Sequence, residues 1–181
     1  MPKNTLSRRR VMGKQVFLRL LKPSDGTDRY ASWLNDPVVN QYLECRFHRF
    51  QAVELKRYIR ETNRDGRHFL FGIFLKSDGS HVGNIKIGDV DPYHRVANLG
   101  LVVGERSAWG RGIGTEAVVL ATRYAFRELK LVSVYAGIYE NNIGSLKAFL
   151  KAGWTEAGRL KRHRRCGNRW VAEIMVERLR S

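Results

Sequence analysis

Between residues 109 and 115 the chain reads Trp-Gly-Arg-Gly-Ile-Gly-Thr, and these residue types suit the binding of an anion. Glycines at 110, 112 and 114 let the backbone approach phosphate oxygens with no Cβ in the way. A periodic apolar segment follows at once, so the loop opens a helix. The first N–H groups of a helix lack partners and carry partial positive charge. Arg111 adds a charged donor, and Thr115 adds a hydroxyl in the first turn. The loop is not a Walker loop, because no Gly-Lys-Ser/Thr is present. It also misses the dinucleotide fingerprint, whose third glycine would fall at position 115, a threonine. By itself such spacing also fits a purely structural turn.

Other groups could move protons or hold charge. Glu44 lies in Tyr42-Leu43-Glu44-Cys45-Arg46. Tyr139 ends an apolar run, and Asp91, His94 and Glu140 are further carboxylates and an imidazole within reach of a base role. Arg159, Lys161, Arg162, His163, Arg164 and Arg165 form a dense basic cluster. The two cysteines, Cys45 and Cys166, show no zinc-ligand spacing and read as free thiols of a reducing cytoplasm.

The elements that must position these groups follow from periodicity. Val16 to Leu20 reads as a strand, Asp28 to Leu34 as a short helix, and Pro37 starts a second helix capped by Asn35 or Asp36. Ala52 to Thr62 is a third helix. His68 to Lys76, Val82 to Val90 and Val96 to Val103 form an antiparallel meander. The period then changes: Ala117, Val118, Ala121, Tyr124, Ala125 and Leu129 align over a helix from Thr115 to Leu129. Val132 to Tyr139 is a strand, and Ser145 to Ala152 a helix ended by Gly153. Trp154 to Arg162 and Arg169 to Leu179 are strands around the turn Arg165-Cys166-Gly167-Asn168. In that hairpin Arg159 and Lys161 should share one face, with Leu160 and Arg162 opposite. The order predicts one α+β (mixed α/β) domain over 15–181, behind a basic tail over 1–14.

With those elements in place, the region from Asn98 to Trp154 resembles the acetyl-CoA core of the GNAT N-acetyltransferases. Trp109-x-x-Gly112-x-Gly114 matches the family's Q/R-x-x-G-x-G/A after a strand and before a helix. Asn142-Ile143-Gly144-Ser145 and Lys151-Ala152-Gly153-Trp154 resemble its N-x-x-S and K-x-G-F, with Trp154 in place of Phe. Tryptophan at 109 resembles the branch of ribosomal-protein N-terminal and amino-sugar or polyamine acetyltransferases, as does Trp33-Leu34-Asn35-Asp36-Pro37. The resemblance implies a mostly antiparallel sheet of about seven strands, flanked by helices and split between two central parallel strands. It implies that Leu101, Val102 and Val103 bind the pantetheine arm by their backbone and polarise the thioester. It places the pyrophosphate on Trp109, Gly110, Arg111, Gly112, Gly114 and Thr115, and the pantetheine beside Asn142 and Ser145. Lys147 and Lys151 fall near the 3′-phosphate.

The resemblance also marks two departures. The family's tyrosine acid, four residues before the motif glycine, is Phe149 here, and a glutamate that some relatives carry before the loop is Asn98. Glu44 and Tyr139 are therefore the catalytic candidates, beside a water relay with no dedicated base. The expected activity is acetyl transfer from acetyl-CoA to a primary amine of a small molecule or peptide. The acceptor reads first as a nucleotide-linked amino sugar and second as a protein N-terminus of ribosomal type. A GNAT-like RNA- or partner-binding module without turnover is the reading from another class.

The charge bears on that choice. Lys and Arg number 33 against 17 Asp and Glu, a net +16, and such a field favours anionic partners such as a nucleotide sugar or the ribosome. The 43% hydrophobic content supports a real core. No apolar run approaches the ~20 residues of a membrane span, and no signal peptide is read. No membrane or metal partner is expected, and the assembly is a monomer or homodimer.

Overall fold

The computed structural model describes residues 10–180. Eight strands form one sheet: β1 (Val11–Met12), β2 (Val16–Leu20), β3 (Phe69–Leu75), β4 (His81–Asp91), β5 (Val96–Val103), β6 (Ser133–Tyr139), β7 (Thr155–Cys166) and β8 (Arg169–Leu179). Their order across the sheet is β1-β2-β3-β4-β5-β6-β8-β7, antiparallel throughout except for the parallel pair β5–β6. The helices are α1 (Asp28–Asn35), α2 (Pro37–Asn40), α3 (Ala52–Thr62), α4 (Ile113–Arg127) and α5 (Ile143–Lys151). Among the described residues no helix is long and apolar enough to cross a membrane.

Strand alternation divides the core in two. In β2, Val16 and Leu18 join Phe71, Ile73, Ile85 and Ile87 under α4, while Phe17 between them packs with Leu70 and Phe74 under α1 and α3. Ala117, Ala121 and Ala125 are fully buried on α4, and such small residues let that helix lie close to the sheet. Thr27 caps α1 by accepting from the Tyr30 amide at 3.2 Å, and Asp36 caps α2 by accepting from the Val38 amide at 2.9 Å.

The sheet departs from the sequence reading in three places. First, it has eight strands rather than about seven. Val11–Met12 pairs with Phe17–Leu18, and Glu116 in the first turn of α4 accepts from the amides of Lys14 and Gln15. Residues 10–14, read as the end of a basic tail, are thus part of the sheet edge. A two-residue strand has no period to detect. Residues 1–9 of that tail lie outside the described residues.

Second, α4 begins at Ile113, inside the glycine motif, because Gly112 turns the chain directly into it. Third, β7 runs to Cys166, leaving Gly167-Asn168 as the turn. The pairing of β7 with β8 slips between Leu160 and Arg164, where Arg162 has φ 48°. This bulge ends the regular alternation expected at Arg162.

Candidate active site

The parallel pair β5–β6 is short. It joins Val96–Asn98 to Ser133–Tyr135 and stops there. The edge of Leu99–Val103 that faces β6 has no strand partner, so the sheet opens into a cleft of ≈ 670 Å³. Leu101, Val102 and Val103 line one wall; Asn142, Gly144 and Ser145, at the start of α5, line the other. Exposed strand-edge N–H and C=O groups need partners, and an extended amide-bearing arm would supply them.

At the floor, Gly110 and Gly112 hold φ of 72° and 80°. This is the left-handed region, where a side chain costs ~1–2 kcal/mol. Gly112 occupies the N-cap of α4, and no side chain caps that helix. Among the described residues its first amides have no capping side chain, and they line the cleft as a cradle suited to phosphate oxygens. Trp109 folds back over the loop: its indole Nε1 donates to the Val103 carbonyl at 2.7 Å. That bond ties the glycine loop to the end of β5. Of the residues expected to bind the cofactor, Arg111 does not line the cleft; its carbonyl accepts from Gln15 Nε2 at 3.4 Å. Lys147 and Lys151 stand along the α5 side of the cleft.

Asn142 caps α5 by accepting from the Ser145 amide at 3.2 Å. Phe149 is buried at 2% exposure, its ring edge-on to Trp154 at 4.8 Å. The Trp154 indole in turn donates to Thr122 Oγ1 at 3.1 Å. Position 149 thus belongs to the core.

The far side of the cleft is walled by Val38, Val39, Tyr42 and Leu43. Three contacts clamp this wall to the residues after β5. Trp33 packs where a Cβ on Gly104 would stand, Asp36 pairs with Arg106 at 2.6 Å, and Arg29 with Glu105 at 2.6 Å. The Trp33-to-Pro37 segment, which carries part of the family resemblance, is mainly this scaffold: Trp33 is buried, and Asn35 exchanges two bonds with the Phe50 backbone.

Beyond the wall, Glu44 and Tyr139 meet. The Tyr139 hydroxyl donates to Glu44 Oε1 at 2.8 Å and accepts from Arg46 Nη1 at 3.1 Å. Burial first, then the bond to Glu44, push the Tyr139 hydroxyl above its ordinary pKa. Arg164 reaches Glu44 at 3.3 Å and Glu173 at 2.6 Å. His163 lies 3.3 Å from Glu173's other oxygen. Bonding to Glu173 holds the Arg164 guanidinium above its usual pKa.

The remaining base candidates are engaged elsewhere. Asp91 accepts from the amides of Tyr93 and His94 at the opposite end of β5, the His94 ring packs edge-on to Tyr93 there, and Glu140 accepts from the Ala172 amide. Asn98, which stands where some relatives carry a glutamate, donates to Asp89. Sequence reasoning missed Arg164 as the partner of Glu44, and Glu173 as the carboxylate that holds Arg164, because the β7 bulge that aims Arg164 has no sequence signal. It also gave Tyr42 no role of its own, and no spacing rule marks a wall residue. Among the described residues no cluster of His, Cys, Asp and Glu could hold a metal.

Comparison with known proteins agrees with this geometry. Residues 15–155 match the acetyltransferase (GNAT) domain family. Probable N-acetyltransferase YjcK of Bacillus subtilis (strain 168) is 28% identical over 167 residues, covering 88% of this chain and 91% of that protein. Two solved structures share the fold. Spermidine N-acetyltransferase from Vibrio cholerae, in complex with CoA and spermine, has TM-score 0.82 at 18% identity over 92% of this chain and 96% of its own. Ribosomal-protein-S5-alanine acetyltransferase from Vibrio fischeri has TM-score 0.79 at 17% identity over 94% and 96%. The chain belongs to the GNAT acetyltransferase family. It is an acetyl-CoA-dependent N-acetyltransferase, and the split between β5 and β6 with the loop from Trp109 to Thr115 fits that donor.

Proposed function

We propose that this enzyme acetylates a primary amine on an acceptor that also carries negative charge, with a nucleotide-linked amino sugar as the acceptor class. The carrying observation is the juxtaposition of Glu44 with Arg46 and Arg164 beside the cleft. A carboxylate there receives the amine, while the two guanidiniums answer a nearby anion. A polyamine, the acceptor of the Vibrio cholerae relative, carries no anion to meet them. The basic residues of β7 extend the same positive field.

Bound acetyl-CoA supplies an activated acetyl thioester. The chain's own residues do the rest. Backbone groups of Leu101–Val103 orient the arm, and the first turn of α4 holds its phosphates. Glu44 takes the proton from the amine, and the Tyr139 hydroxyl keeps that carboxylate oriented. Holding two reactants in one geometry supplies much of such a rate. A protein N-terminus is the second acceptor reading, supported by the fold shared with the ribosomal-protein acetyltransferase.

The test is thiol release from acetyl-CoA with a panel of amines: UDP-linked amino sugars, peptides with free N-termini, and spermidine. Turnover led by the nucleotide sugars is expected. Preference for spermidine would overturn the acceptor class. Binding of acetyl-CoA with no turnover on any amine would point to a binding module.

A further inference from the structure

We propose that Tyr42 is the acid that protonates the departing thiolate, in place of the tyrosine that α5 lacks at Phe149. This rests on the acetyl-transfer reading above. Displacing a thiolate needs a proton donor close to the opening of the sheet. Phe149 has none, and its ring lies in the core against Trp154. Tyr139 is turned to Glu44 and does not line the cleft.

Tyr42 does line it, on the wall facing the ends of β5 and β6. Its hydroxyl donates to the Asn141 carbonyl at 3.2 Å. Asn141 sits between the last residue of β6 and the N-cap of α5, so the hydroxyl stands at the mouth of the split. A bond of that length, at an exposed site, is readily exchanged for another acceptor. The ring is held from behind by Tyr139, with centroids 5.6 Å apart.

Other acids on the cleft suit the task less well. Lys147 and Lys151 lie on later turns of α5, toward the expected 3′-phosphate. The aliphatic hydroxyls of Thr115 and Ser145 are far weaker acids than a phenol. A phenol, at about 10, lies close to a thiol at about 8.5. Burial, and the nearby Cys166 thiol, hold Tyr42 above its ordinary value, so it carries its proton at neutral pH.

The proton balance is simple. As the N–C bond forms and the C–S bond breaks, Tyr42 Oη gives its proton to sulfur. The proton lost by the amine passes to the Glu44 carboxylate. Water returns a proton to the phenolate and takes one from Glu44. Residues 42 and 44 thus serve opposite sides of one transfer.

The test uses CoA as well as turnover. In the binary complex with CoA, thiolate absorbance followed against pH gives the pKa of the bound thiol. Tyr42→Phe should raise that pKa by about one unit, since a donor to the thiolate is lost, while CoA affinity stays within about threefold. Its kcat with acetyl-CoA should fall on the order of 100-fold with little change in KM. Tyr42→His, which keeps a donor, should restore part of both effects. Tyr139→Phe should leave the thiol pKa where it is. An unchanged thiol pKa in Tyr42→Phe overturns the proposal, whatever the acceptor proves to be. Failure of the wild-type protein to bind CoA overturns this and the acetyl-transfer reading together. Binding of CoA with no amine acetylated overturns the transfer reading, and the thiol pKa still decides Tyr42.

Discussion

The Tyr139 hydroxyl donates to Glu44 Oε1 at 2.8 Å, across 95 residues of sequence. The bond joins the end of β6 to the wall between α2 and α3, and it fixes the Glu44 carboxylate beside the cleft. Arg46 donates to the same hydroxyl at 3.1 Å, so the phenol relays a cation's pull toward Glu44. Glu44→Gln should lower kcat/KM for the acceptor by roughly 10- to 100-fold, with the KM for acetyl-CoA unchanged. Tyr139→Phe should cost less, and the double variant less than the sum of the two. Strict additivity in that cycle would show that the pair does not act as a unit.

Gly112 should tolerate no side chain without loss of cofactor. Its φ of 80° and its place at the uncapped N-terminus of α4 suit one residue to both the turn and the proposed phosphate cradle. Gly112→Val should raise the acetyl-CoA Kd at least about tenfold, and destabilise the fold by only ~1–2 kcal/mol from backbone strain. Calorimetric titration and thermal melting measure the two. Unchanged affinity would remove the phosphates from this loop.

These two cases also show what could be read in advance. The loop was legible because glycine spacing, helix onset and the Asn142 and Gly153 positions form a local pattern that survives without coordinates. The meander and the α4 face were legible from period alone. Glu44 and Tyr139 were singled out separately, but nothing in the sequence joins residues 95 positions apart. Their shared hydrogen bond depends on how α1 and the start of α2, which lead into the Glu44 segment, are clamped to Gly104 and Arg106. The extra strand at Val11–Met12 is too short to carry a pattern. The β7 bulge was invisible for a different reason: Arg162 at φ 48° is a residue that normally avoids that region, so only tertiary contacts explain it.

Those contacts lead to Glu173. This residue is 4% exposed in the middle of β8, yet it is a carboxylate. Each oxygen has a cationic side chain, Arg164 at 2.6 Å and His163 at 3.3 Å. Consecutive strand residues normally point to opposite faces; the bulge lets 163 and 164 reach one carboxylate. Gly137 makes the room, since a Cβ there would collide with Glu173 Oε1. Gly137→Ala should therefore displace the carboxylate, destabilise the protein by about 1–3 kcal/mol, and loosen Arg164 from Glu44. Urea denaturation reads the first effect, and the acceptor KM the second. A stability within experimental error of wild type would mean that Glu173 relocates freely.

His81 should make stability depend on pH near neutrality. Its ring lies among Tyr30, Trp33 and Phe74, with Nε2 at 2.8 Å from Asn84 Oδ1. Burial outweighs that bond and lowers the imidazole pKa below its ordinary 6.5. The folded protein therefore binds the proton less readily than the unfolded chain. The stability this confers is complete above pH 6.5 and is lost as pH falls toward the depressed folded value. Asp25, Asp36 and Asp89 also have lowered pKa values, but their losses begin only below the ordinary carboxylate range, near pH 4. The two windows separate. Thermal melts of wild type and His81→Gln between pH 7.5 and 5 should show a steeper fall for wild type, because glutamine has no proton to gain. Parallel melting curves over that interval would place the pH response elsewhere.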